Sequence, residues 1–179
     1  MDKMACLAFK TLRRLSDTVV LAIFLAALLL ALTPLPGHAQ SLEEEVLYEE
    51  NFDDYLAQDW ELDSGWTVTK EGVLGGEGHS WARYKDVDWQ DVRVQFQLRI
   101  AEPGSRIHLN YRVSDEGRYF IGFHAEGLYL SKETPWGTFY ENLDSSSSQY
   151  ANYAWHSVEI VGEGSRIQVT VDGLSLIHI

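Results

Sequence analysis

Planar polar side chains recur at alternate positions in the middle of this sequence. Val92–Ile100 reads VRVQFQLRI and sets Arg93, Gln95, Gln97 and Arg99 on one side. The stretch Arg106–Val113 does the same with Arg106, His108, Asn110 and Arg112, and Arg118–His124 adds Arg118, Phe120 and His124. Amide and guanidinium groups bind sugar hydroxyls or carboxylates through paired hydrogen bonds. Trp136 and Tyr140, with Tyr84 and Trp89, fall near predicted loops and offer flat faces for stacking on sugar rings. A plain solvated sheet face produces the same alternation, so that reading stands beside the first.

Catalytic patterns are weaker. Retaining glycosidases need two carboxylates about 5–5.5 Å apart. In the family 16 glycoside hydrolases these lie on one strand in the pattern E-x-D-x-x-E. Glu61-Leu62-Asp63 opens that pattern, but Ser64, Gly65 and Trp66 follow and the second Glu is missing. Asp115, Glu116, Glu126 and Glu163 sit in predicted turns, where acidic residues are common for conformational reasons. His79, His108, His124 and His156 lack metal-ligand spacing such as H-E-x-x-H. Asp86, Asp88 and Asp91 form a tight acidic cluster that could hold a structural calcium through oxygen ligands, but no EF-hand-type spacing is present and a charged loop is the favoured reading. No other cofactor is expected, and the balance leans against catalysis. Trp60, Trp66 and Trp155 sit among apolar strand residues and are expected in the core, while Trp81 is left undecided.

The elements that must position these groups are strands. Val92, Val94, Phe96, Leu98 and Ile100 alternate with the polar set, as do Ile107, Leu109, Tyr111 and Val113. Such period-2 alternation marks strands with one face in a core. The turn Ser114-Asp115-Glu116-Gly117 predicts a hairpin in which Tyr111 faces Tyr119, Leu109 faces Ile121 and Ile107 faces Phe123. Gly117 is expected at the left-handed position of a three-residue loop with a bulge. Glu71-Gly72, Glu126-Gly127 and Glu163-Gly164 separate further short runs at Trp66–Thr69, Val73–Glu77, Leu128–Lys132, Ser157–Gly162 and Arg166–Val171. Asp144–Gln149 reads as a polar loop. Many short strands between regular turns predict an all-β, antiparallel β-sandwich or barrel.

An N-terminal signal peptide precedes it. Lys3, Lys10, Arg13 and Arg14 lead into an unbroken apolar run, Val19–Leu32, and then to Pro34, Pro36 and Gly37-His38-Ala39. This is the layout of an export signal cut after Ala39. The run has 14 residues, short of the ~20 that span a bilayer. The protein is therefore expected to be secreted or periplasmic, without stable membrane insertion after cleavage; the alternative is anchoring by the uncleaved segment. Cleavage removes Cys6, the single cysteine, and moves the formal net charge from −13 to −15. A surface this acidic excludes nucleic acid as a natural partner.

Several motifs carry a family resemblance. Phe52-Asp53, Trp60, Trp66-Thr67-Val68 and Glu71-Gly72-Val73-Leu74 resemble the opening of the 3-keto-disaccharide hydrolase-like domain, within the concanavalin A-like (laminin-G-like) jelly-roll superfamily. Gly104-Ser105-Arg106-Ile107, Trp155–Ile160, Gly164–Ile167 and Val171-Asp172-Gly173 continue it. Phe120–Thr134 departs toward the general laminin-G-like pattern of sugar-binding and adhesion modules. The expected organisation is a leader (1–39), an acidic linker (40–45), an incomplete domain (46–173) and a non-native tail (174–179) resembling adapter read-through, which leaves room for further domains in a longer chain. The expected function is a secreted, non-catalytic carbohydrate-binding module. The alternatives are a glycoside hydrolase of the 3-keto-disaccharide type and a structural or adhesion module that binds another protein.

Overall fold

The computed structural model describes residues 4–14, 45–85, 87–147 and 153–178. These form antiparallel sheets and contain no helix. Along the chain run β1 (Met4–Arg14), β2 (Glu45–Tyr48), β3 (Trp60–Leu62), β4 (Trp66–Val68), β5 (Leu74–Glu77), β6 (Ala82–Tyr84) and β7 (Val92–Ile100). Then come β8 (Arg106–Ser114), β9 (Gly117–His124), β10 (Gly127–Glu133), β11 (Glu141–Ser146), β12 (His156–Glu163), β13 (Arg166–Val171) and β14 (Leu174–His178). The larger sheet has the order β14-β13-β12-β7-β1-β5-β4, with β2 also paired to β1. The second sheet is β11-β10-β9-β8, and β3 and β6 form a small ribbon.

The two main sheets bury their apolar faces against each other. Val92, Val94, Phe96, Leu98 and Ile100 of β7 share one core with Ile107 and Tyr111 of β8, Ile121 and Phe123 of β9, and Leu128 and Leu130 of β10. Phe96 and Phe123 meet edge to face across the gap, with ring centroids 6.1 Å apart. The result is a β-sandwich, and the alternation in sequence is its direct cause: every second residue of β7 is buried.

The expected hairpin register holds. Tyr111 pairs with Tyr119, Leu109 with Ile121 and Ile107 with Phe123. The bulge is displaced from its expected position. It lies at Arg112 and Val113, where Arg112 has φ 49°, and Gly117 opens β9 with φ 152°. Glycine is needed at 117 for another reason: a Cβ there would overlap the carbonyl oxygen of Glu133 on β10.

Three other expectations are corrected. Asp144–Gln149 is not all loop, because Glu141–Ser146 pairs with β10 as an edge strand; Gln149 lies outside the described residues. Trp155 is not core but 38% exposed, with the Arg99 guanidinium over its ring at 4.7 Å. The third concerns β7, which belongs to one sheet while β8 and β9 belong to the other. The turn through Gly104, with φ 74°, carries the chain across. Leu174–His178, set outside the domain by sequence, pairs with β13 and buries Ile177. Met4–Arg14, the charged head of the expected leader, pairs with β5, β2 and β7. The apolar run of that leader lies outside the described residues.

Candidate functional site

Because β7 and β8 lie in different sheets, the polar residues singled out by sequence divide between the two outer faces of the sandwich. On the larger sheet, Arg93 pairs with Glu159 at 2.9 Å, and Gln95 donates to the same carboxylate. Gln97 donates to Ser157 Oγ, and Arg99 pairs with Glu71 at 3.0 Å. Glu159 and Ser157 lie on the neighbouring β12 and Glu71 in the turn between β4 and β5, so these bonds tie β7 to both. Arg112 also has a structural post. Its Nε donates to the Gln90 carbonyl, its Nη1 to the Gly164 carbonyl and its Nη2 to Asp91 Oδ1. Asp91 is thereby engaged, accepting from Gly164 N as well. Asp88 is exposed, and Asp86 lies outside the described residues. Among the described residues no cluster of three or more His, Cys, Asp or Glu could hold a metal ion.

The outer face of the smaller sheet is different. Its register aligns Arg118 with Glu133, Asn110 with Phe120 and Ser131, His108 with Gly122 and Tyr129, and Arg106 with His124 and Gly127. At one end Arg118 and Glu133 form a buried ion pair, Nε to Oε2 at 2.8 Å, with the residues 6% and 5% exposed. Arg118 Nη1 donates to Asn110 Oδ1 at 2.6 Å. Three rings surround the guanidinium: Trp81 at 5.1 Å, Phe120 at 5.0 Å and Trp136 at 5.2 Å. Among the described residues Nη2 has no hydrogen-bond partner and Nη1 uses one of its two hydrogens, so three of the five donors of this rigid, charged fork stand unused.

The rings are held from behind. Trp81 N donates to Asp63 Oδ2, and Asp63 N donates to the Trp81 carbonyl. The Trp136 indole donates to the Ser114 carbonyl at 2.8 Å. Glu133 uses its second oxygen to accept from Gly137 N, so one carboxylate fixes both Arg118 and the loop that carries Trp136. That loop runs outward: Trp136 is 42% exposed, Tyr140 59% and Phe139 96%. Tyr140 packs edge-on against Phe120, centroids 5.0 Å apart.

Farther along the same face, Tyr129 lies over Gly122, where a Cβ would overlap its ring. Its hydroxyl meets His108 Nε2 at 2.7 Å. Partial desolvation of the His108 ring by its neighbours, reinforced by Arg118, Arg106 and His79, lowers its pKa and favours the neutral form. Burial raises the Tyr129 pKa. The His124 ring completes the row, 5.9 Å from Tyr129.

Of the sequence-derived candidates, the structure brings together His108, Asn110, His124, Trp136 and Tyr140. It separates Arg93, Gln95, Gln97, Arg99 and Arg112 from them. Sequence reasoning missed Glu133 and Tyr129 and left Trp81 open. The Glu126-Gly127 turn held the missing signal. A hairpin folded there aligns Glu133 with Arg118 and Tyr129 with Gly122.

The model of the 3-keto-alpha-glucoside-1,2-lyase-like domain matches residues 48–179, well over half of the chain. The chain belongs to that family. The match spans every element of the outer face just described. Among solved structures, the carbohydrate-binding module CBM66 from Bacillus subtilis is similar, with a TM-score of 0.58 and 16% identity. The alignment covers 67% of this chain and 78% of that one. This likeness confirms the β-sandwich. No curated protein matches the chain in sequence.

Proposed function

We propose that this chain is an exported carbohydrate-binding module whose ligand lies on the outer face of the smaller sheet. One observation carries the reading: a charged guanidinium with unused donors, walled by Trp81 and Trp136. Aromatic faces pack against the C–H faces of a sugar ring, and the fork bonds its hydroxyls. The likeness to a carbohydrate-binding module supports the same ligand class. We also assign the sandwich to the concanavalin A-like jelly-roll class, and export to cleavage after Ala39.

A second reading has its own support. The family description names a lyase, and His108 bonded to Tyr129 is a pair able to move a proton on the same face. A screen of immobilised glycans, coupled to a turnover assay on 3-keto-glucosides, separates the two. Binding without turnover supports the module, with loss of binding in Trp136→Ala. Turnover that vanishes in both His108→Gln and Tyr129→Phe supports the enzyme. Binding of no glycan by the folded protein overturns the carbohydrate reading.

A further inference from the structure

We infer that the ligand of this face is a carboxylate-bearing glycan several sugar units long, with its acidic groups drawn to the Arg106–His124 end. The inference rests on the carbohydrate reading above and specifies its ligand. The chain as a whole is strongly acidic, with a formal net charge of −13. The outward positions of its strands β8, β9 and β10 carry two arginines against one carboxylate. On β8 they are Arg106, His108 and Asn110; on β9, Arg118, Phe120, Gly122 and His124; on β10, Gly127, Tyr129, Ser131 and Glu133. Glu133 is the one carboxylate among them, and Arg118 and Gly137 N already engage it. Arg106 is exposed and makes no ion pair among the described residues. His79 and Arg106 both lie near enough to His108 to act on its charge.

An acidic protein that leaves the exposed Arg106 without a carboxylate partner among the described residues of this face presents a complementary field to an anionic ligand. The guanidinium favours a planar carboxylate, which it can bind through two parallel hydrogen bonds. The length of this face sets the size of the ligand. Arg106 lies opposite His124, six residues along β9 from Arg118. At the rise of a β-strand that separation is about 20 Å. A single sugar cannot reach from the Arg118 cage to Arg106, whereas a short chain can. The half-buried ring of Tyr129 lies between the two ends and gives such a chain an aromatic surface to pack on.

Calorimetric titration of the full chain with polygalacturonate, with its neutral methyl ester and with dextran sulfate tests this. Expected are binding of polygalacturonate and at least tenfold weaker binding of the ester. Expected too is strong weakening between about 0.01 M and about 1 M salt, as the Debye length contracts from ~30 Å to ~3 Å. Arg106→Gln should weaken polygalacturonate about tenfold and the ester by much less, while Trp136→Ala weakens both alike. Equal affinity for acid and ester overturns the inference and leaves the carbohydrate reading standing. Binding of dextran sulfate alone overturns the choice of carboxylate. Failure to bind any of the three, with a neutral glycan captured in the screen, also overturns the inference. Failure in the screen as well overturns both.

Discussion

Glu133 does two jobs with one carboxylate, and both are exposed to substitution. It neutralises buried Arg118 and holds the Trp136 loop through Gly137 N. Removing one partner of a buried ion pair leaves an uncompensated charge and costs about 3–5 kcal/mol. Glu133→Gln should therefore lower the unfolding free energy by that order in denaturant titration, and weaken glycan binding as well. Trp136→Ala should behave oppositely. Its ring is partly in water, so stability should change by less than about 1 kcal/mol, while binding falls about tenfold, or ~1.4 kcal/mol. On the far sheet, Asp172 accepts from His156 Nδ1 at 2.7 Å and from Ser157 N. The His156 hydrogen bond is the main cause of its lowered pKa. A carboxylate whose folded pKa is depressed adds stability above its unfolded value, about 3.9. That stability is lost as pH falls through the lower folded value. Thermal melts between neutrality and pH ~2 should thus show a steeper acid loss in the wild type than in Asp172→Asn; parallel curves would contradict this.

At the scale of elements, the β9–β10 pairing builds the site, and Gly117 sits at its tightest point. A side chain there meets the backbone oxygen of Glu133, whereas Gly164, also at positive φ, faces open space. Gly117→Ala should cost more than Gly164→Ala by about 1–3 kcal/mol, the usual penalty for overpacking; equal costs would show that β10 yields. The register of β8 and β9 was legible because apolar alternation and a four-residue turn specify it together, and a one-residue slip would turn Arg118 and Asn110 into the apolar core between the sheets. Which sheet each strand joins was not legible. Alternation identifies a buried face, and Arg93 and His108 both answer to it from opposite sides of the sandwich. β11 was hidden because Asp144-Ser145-Ser146 has no apolar period, and its pairing is imposed by the backbone of β10. The cage around Arg118 was only half legible. Trp81 reaches it through a clamp from Asp63, a contact between residues 18 apart that no local pattern announces.

At the scale of the molecule, the expected leader and the larger sheet compete for the same residues. Met4–Arg14 lies between β5 and β7, yet export with cleavage after Ala39 would remove it. β7 would then present its edge from Ala5's partner Ile100 to Arg14's partner Val92. Long unpaired edges recruit strands from other chains. Residues 40–179 produced alone should therefore self-associate in light scattering, while a clean monomer would mean that the sheet closes without β1. The smaller sheet pairs with none of β1, so its outer face should keep its ligand either way. The most direct test of the central claim is glycan capture by wild-type protein and Trp136→Ala side by side, with folding of both checked by circular dichroism. The account predicts selective capture by the wild type and loss of it in the folded variant. Undiminished capture by the variant, or none by either, would contradict a carbohydrate site on the outer face of β8, β9 and β10.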